Sequence, residues 1–152
     1  MPDASELHLE GLLRFPSYAF GKLHRAVHQG VGSSLRDHWV LVYLEDRADR
    51  ISQQEIADAL GIDRSEVVRL VDGLERAGLV IRQRDTVDRR KHCLSITEAG
   101  RAARLRVDAE IEATNEVVFA RLTPEERDTL HRLSLLALGY DEQYRPLPPV
   151  QP

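Results

Sequence analysis

The sequence predicts a mainly α-helical chain with one small β-hairpin, and three observations predict it. Apolar residues recur at helical spacing over most of the length. Two short helical segments carry side-chain start signals and are separated by a turn at Gly61-Ile62. After Gly78 the apolar period changes from 3.6 to 2. The 152 residues, 42% hydrophobic and 30% charged, fit one globular domain or a core completed by a partner chain.

Each element follows from local chemistry. From Phe15, the residues Ala19, Leu23, Ala26 and Val27 share one helical stripe, with Pro16 in the first turn, where proline is tolerated. Residues 30–34, GVGSS, interrupt it. A second helix runs to about Ala48, with Leu35, Trp39, Leu41, Val42 and Leu44 expected to pack inward. Ser52-Gln-Gln-Glu55 is a capping box opening a helix that buries Ile56, Ala57 and Leu60 and stops at Gly61. Asp63-Arg-Ser-Glu66 reads as a second box of this kind. It opens a helix with Val67, Leu70, Val71 and Leu74 on one stripe, ending at Gly78. Two capped helices joined by a short turn make a helix-turn-helix.

Leu79 and Ile81 then alternate with Val80 and Arg82, and Leu94 and Ile96 alternate with Cys93, Ser95 and Thr97, which predicts a hairpin. A long helix follows from about Glu98 towards Arg121. Thr123-Pro-Glu-Glu126 caps a last helix bearing Leu130, Leu133, Leu135, Leu136 and Leu138. Leucine on more than one side of that helix calls for more partner surface than so small a domain supplies, which predicts a homodimer. Pro146, Pro148, Pro149 and Pro152 mark a loose tail.

The charge distribution points to a partner. The formal net charge is -4, yet Arg82, Arg84, Arg89, Arg90 and Lys91 face only Asp85 and Asp88 between residues 82 and 91. Residues 1–49 and 99–152 carry more acid than base, whereas residues 50–98 are neutral with their excess base at the hairpin. Salt screens charges beyond about 8–10 Å, so a local basic strip can meet phosphates while distant carboxylates keep the chain soluble. The face of the second capped helix opposite its apolar stripe carries Arg64, Ser65, Val68 and Arg69. In a helix-turn-helix this helix enters the major groove of double-stranded DNA. There Arg69 suits a bidentate contact to guanine, Val68 a thymine methyl, and Ser65 a base or phosphate. Arg64 suits phosphate. A basic hairpin beside it lies where a narrow minor groove, with its enhanced negative potential, passes. A two-fold dimer would set two such helices roughly 34–36 Å apart and read a pseudo-palindromic operator.

The run GIDRSEVVRLVDGLERAGLVIRQRDTVDRRKHCLSITEAG resembles the winged-helix core of the MarR (multiple antibiotic resistance regulator) family. The family's wing signature is an aspartate, two basic residues, a short strand ending in Leu/Ile-Thr and a glycine. Asp88-Arg89-Arg90, Leu94, Ile96-Thr97 and Gly100 meet it. With SQQEIADALG upstream, the resemblance covers residues 35–105. It implies a winged helix-turn-helix lobe at 35–98, dimerisation helices at 1–34 and 99–145, and a tail at 146–152. It also implies a homodimeric, ligand-responsive transcription factor, usually a repressor. In the family the position of Arg90 reaches into the minor groove and that of Asp88 braces the wing. Arg82, Arg84, Arg89 and Lys91 then read as backbone anchors. Gly73, Val68 and Thr86 depart from a frequent basic residue, a frequent Thr or Ser, and a frequent proline, and these departures obscure the operator sequence.

Other classes find little support. There is no long uninterrupted apolar run, and the opening MPDASELHLEG is too acidic for a secretory signal. A single cysteine, Cys93, allows no internal disulfide, which suggests a reduced, cytoplasmic setting. No P-loop, GxSxG or paired acidic motif suggests an enzyme or a bound cofactor. For an effector pocket the best residues are Phe15, Tyr18, His38 and Trp39, which read equally as core and interface residues. His24 and His28, at i and i+4, have a spacing that can share a metal with His38 or a carboxylate. Histidines so spaced are more often solvent-facing, and no metal site is assigned. Cys93, near Lys91 and His92, raises a redox reading but is better taken as incidental. The alternatives are therefore a metal- or redox-responsive regulator of this fold, or a winged-helix protein-interaction module without DNA binding. The latter would not need Arg69, Arg89 and Arg90 together.

Overall fold

The computed structural model describes residues 10–47, 51–84 and 92–149. Along the chain, α1 (Glu10–Leu13) and α2 (Pro16–Gly30) lead into α3 (Leu35–Asp46), α4 (Gln53–Leu60) and α5 (Arg64–Arg76). The hairpin β1 (Val80–Arg84) and β2 (His92–Ile96) follows, and then α6 (Glu98–Val118) and α7 (Pro124–Leu138). Two compact units divide between Thr114 and Asn115, within α6. Among the described residues no helix is long and apolar enough to cross a membrane.

The first unit is built around the α4–turn–α5 pair. Ser52 and Glu55 form the expected reciprocal capping box, and Gly61 closes α4 in the left-handed region at φ 61. Ile56 and Ala57 of α4 meet Val67, Val71 and Leu74 of α5 in one core with Val40, Leu41 and Leu44 of α3. Val80, Leu94 and Ile96 of the hairpin and Ala103 of α6 complete it. The strands pair antiparallel with Val80 opposite Ile96 and Arg84 opposite His92. Ile51 adds a bridge to Leu94, its carbonyl accepting from the Leu94 N–H at 2.8 Å. A smaller cluster of Val31, Leu35 and Val107, with Val27 and Ile111, joins the end of α2 to α3 and α6.

The hairpin is closed at its base by residues of the wing signature. Gly78 turns the chain at φ 71. The Thr97 hydroxyl donates to the Gly78 carbonyl at 2.8 Å and accepts from the Gly100 N–H at 3.0 Å. Thr97 thus joins the hairpin base to the first turn of α6. Gly100 lies so close that an added Cβ would sit 2.1 Å from the Leu79 carbonyl oxygen. The Leu/Ile-Thr-x-x-Gly pattern therefore has a structural cause: a hydroxyl that bonds both ways and a residue with no side chain to obstruct it.

In the second unit, Thr123 and Glu126 form another capping box at the start of α7. Arg127 donates to the Phe119 carbonyl at 3.1 Å and pairs with Glu116 at 2.8 Å. No residue of α7 is buried, and Leu133, Leu136 and Leu138 are exposed.

Several expectations need correction. Trp39 does not pack inward: it is exposed, Val42 is only half-buried, and Val40 takes the innermost place in α3. The helical stripe is rotated by one residue because α3 also buries His38. On β1 the inward residue is Val80, while Ile81 is exposed, so the alternation is shifted by one. Asp63 caps α5 by accepting from the Ser65 N–H, and Glu66 is drawn to Arg36 of α3 instead of completing a box. The α6 helix ends at Val118, short of Arg121, and α3 ends at Asp46, with Ala48 outside the described residues. The short α1 carries too few residues for a periodic signal. The start of the tail is tied back: Tyr140 bridges Pro146, and the Leu147 N–H donates to the Gly139 carbonyl at 2.7 Å.

Candidate nucleic-acid interface

One face of α5 is committed to the core through Val67, Val71 and Leu74. Helical geometry then turns Arg64, Ser65, Val68 and Arg69 outward, and all four are exposed. The Arg69 side chain is 78% exposed, its guanidinium 3.8 Å from Glu66. At that exposure and distance the pair holds Arg69 weakly, so the arginine stays available to an outside partner. The Glu66 carboxylate is engaged by Arg36. Ser65 has a role its sequence position did not suggest. Its hydroxyl and its N–H both donate to Asp63, and these bonds hold the Asp63 carboxyl below its ordinary range. The hydroxyl oxygen retains its own acceptor capacity.

The hairpin stands beside this face. Gln53, Val68, Asp72, Arg82, His92 and Leu94 line a cavity of about 490 Å³ between α4, α5 and the strands. Arg84 and His92 face each other across the strands, both exposed. Arg82 is placed differently from the other basic residues expected to meet phosphate. Its guanidinium lies 2.7 Å from Asp72 and 3.3 Å from Glu75, both on α5. Asp88, Arg89, Arg90 and Lys91 lie outside the described residues. Gln53 and His92 were missed in the sequence. The strand register would have pointed to His92 as the partner of Arg84, whereas Gln53 joins the cavity only through the packing of α4 on α5.

The residues expected to line an effector pocket lie at the start of α2 and in α3. Phe15 is the exposed N-cap of α2, and Tyr18 is half-buried one turn on. His38 is buried in α3 with Nε2 2.6 Å from Asp108 Oδ1 on α6, and its Nδ1 is buried without a hydrogen-bond partner. None of the four lines the cavity beside α5, the groove of about 420 Å³ along α2, or the cavity of about 270 Å³ beside α7. The His24 and His28 rings stand edge to face with centroids 6.1 Å apart. Among the described residues no group of three or more His, Cys, Asp or Glu could hold a metal ion. His38 is occupied with Asp108 and does not join them. Cys93 is buried in β2, away from the accessible position a redox-sensing thiol needs.

The MarR family profile matches residues 31–91, from the end of α2 through the hairpin loop. A MarR-family transcriptional regulator from Rhodococcus sp. RHA1 has the same fold, with a TM-score of 0.61 and 30% identity. That match covers 88% of this chain and 98% of the other. The chain belongs to the MarR family.

Other MarR-like structures add detail. The transcriptional repressor CouR, bound to a 23-mer DNA duplex, matches with a TM-score of 0.73 and 30% identity, covering 86% of this chain and 95% of that one. CouR from Rhodococcus jostii RHA1 bound to p-coumaroyl-CoA matches with a TM-score of 0.58 and 31% identity, covering 87% and 92%. A protein named as a transcriptional regulatory protein for the hcr operon of Thauera aromatica is 38% identical over 80 residues. That stretch is 53% of this MarR-family chain and 48% of the relative, so the match spans about half of the relative's length. These relatives are named as transcriptional regulators or repressors.

Proposed function

We propose that this MarR-family chain is a homodimeric, sequence-specific DNA-binding regulator that represses transcription and is released by a small-molecule effector. The observation that carries the reading is α5: one face is locked into the core, and the opposite face presents Arg64, Ser65, Val68 and Arg69 to solvent beside a hairpin. That is the arrangement of a recognition helix and its wing. CouR, a repressor of the same fold bound to DNA, supports it. In this reading Arg69 reads a base, Val68 meets a methyl group, and Arg64, Ser65 and Arg84 position the duplex. In the same reading Arg90 probes the minor groove, Asp88 braces the wing, and Arg89 and Lys91 anchor the DNA backbone.

Exposed leucines on α7, and an α2 that buries no residue, support a second copy of the chain as their cover. On this reading residues 1–34 and 99–145 supply the dimer contacts, and the protein works in the cytoplasm. The p-coumaroyl-CoA bound to CouR makes an aromatic acyl thioester the first effector to test, with Phe15, Tyr18, His38 and Trp39 as the lining residues to vary.

Selection of bound duplex from a random pool tests the core of this reading. The expected product is a pseudo-palindrome with half-sites about 10 bp apart. Arg69→Ala is expected to cost about 1–3 kcal/mol on that operator and to relax specificity at particular positions. Recovery of no enriched sequence, or an Arg69→Ala variant that binds the operator as the wild type does, would remove the reading.

A further inference from the structure

We infer that Arg82 is a positioning residue of the interface, fixing the hairpin to the recognition helix, and not an anchor for the DNA backbone; this rests on the DNA-binding reading above. Arg82 projects from β1 with its guanidinium between two carboxylates of α5. Nη2 lies 2.7 Å from Asp72 Oδ1, and Nη1 lies 3.3 Å from Glu75 Oε2. The side chain is 27% exposed, against 78% for Arg69. A guanidinium held on two sides has few donors left to turn towards a phosphate.

The position of the carboxylates gives the pairing its consequence. Asp72 lies one turn beyond Val68 and three residues beyond Arg69, and it lines the same cavity as Val68, Arg82 and His92. Unpaired carboxylates there would stand beside the path of the phosphates and repel them. Arg82 neutralises them and, in the same contact, ties β1 to the middle of α5. Ion pairs this exposed contribute little to folding stability, so the effect of this one lies in geometry. It sets where Arg84, His92 and the strands stand relative to Arg64, Val68 and Arg69. No other ion pair among the described residues links α5 to the hairpin.

The two roles differ in the sign of one measurement. Removing both carboxylates, as Asp72→Ala/Glu75→Ala, makes the chain less negative beside the DNA. If Arg82 anchors phosphate, that change frees it and tightens binding. If Arg82 positions the hairpin, the change loosens the wing and weakens binding, by roughly tenfold on the operator selected above. A second variant, Arg82→Lys, keeps the charge but loses the two-pronged fork. It is expected to weaken binding as well, because the charge is kept and only the two-sided grip on Asp72 and Glu75 is lost. Thermal melting of each variant confirms that the comparison is between folded proteins. Tighter or equal binding by the carboxylate-free variant, or wild-type binding by Arg82→Lys, overturns the proposal while leaving the DNA-binding reading intact. Failure of the wild-type protein to retain any duplex overturns that reading, and this one with it.

Discussion

His38 of α3 and Asp108 of α6 meet at 2.6 Å through Nε2 and Oδ1, the histidine ring almost wholly buried. Asp108 also pairs with Arg104 at 3.2 Å, and Arg104 and Arg101 reach Glu45 of α3 at 3.1 and 3.5 Å. A polar seam thus joins the helix that supports the helix-turn-helix to the helix that leaves it. Its inner end at His38 is buried and its outer end is half-exposed, so His38–Asp108 carries more of the energy than the arginine pairs do.

Asp108→Ala leaves a buried imidazole with neither nitrogen paired. The expected loss is about 1–3 kcal/mol of unfolding free energy. Urea denaturation of the wild type, Asp108→Ala, His38→Ala and the double variant measures it. The double variant should lose less than the sum of the single losses, since each single substitution already breaks the same contact. Additive losses would mean that the two side chains act independently.

Gly100→Ala should be among the more damaging small substitutions in the chain. The new Cβ would lie 2.1 Å from the Leu79 carbonyl oxygen and 2.7 Å from Ile96 Cγ1, and the first of these is backbone that cannot rotate away. Relief requires moving α6 away from the hairpin base, at a cost of about 1–3 kcal/mol for overpacking of this kind. Gly73→Ala is its control, because a Cβ there meets nothing within 4 Å. Gly73→Ala should be neutral or stabilising, as alanine is the better helix former. Equal melting temperatures for the two variants would contradict the close packing at Gly100.

Asp63 links the start of the recognition helix to pH. Hydrogen bonds from the Ser65 hydroxyl and N–H lower its pKa below the ordinary value. A carboxyl depressed in the folded state contributes stability that is fully present above its unfolded value, about 3.9. That contribution is lost as the pH falls through the folded value. Asp63→Asn keeps a capping side chain but removes the titration. The stability gap between wild type and Asp63→Asn should be constant above about pH 5 and shift towards the variant on acidification. A gap that stays constant down to about pH 2 would show that the carboxylate contributes nothing as an ion.

The sequence and the structure agree best where a single helix turn holds all the interacting atoms. The Ser52–Glu55 and Thr123–Glu126 boxes were legible because donor and acceptor are three residues apart. The α5 stripe was legible because its buried residues recur at the helical period, and the outward set Arg64, Ser65, Val68 and Arg69 then followed by geometry. Errors arose where a neighbouring element competes. The Asp63–Glu66 pattern matches a box, but Arg36 of α3 takes Glu66, and a full positive charge outbids a backbone N–H for a carboxylate. Trp39 was misplaced because the buried stripe of α3 includes His38, whose partner Asp108 is 70 residues away.

By itself, then, the sequence determined the order and type of the elements from α2 onward, the outward face of α5 and the family to which the chain belongs. The elements and that face rest on periodicity and on contacts within about one helical turn, and the family rests on the resemblance of the wing signature. Only the tertiary structure decided what the charged residues do. Arg82 and Arg84 are near-identical in sequence context, yet one lies between Asp72 and Glu75 and the other is exposed. The physical reason is that an arginine's role depends on which carboxylates its element is packed against, and that is fixed by the meeting of α5 with the hairpin, not by the residues beside it in the chain.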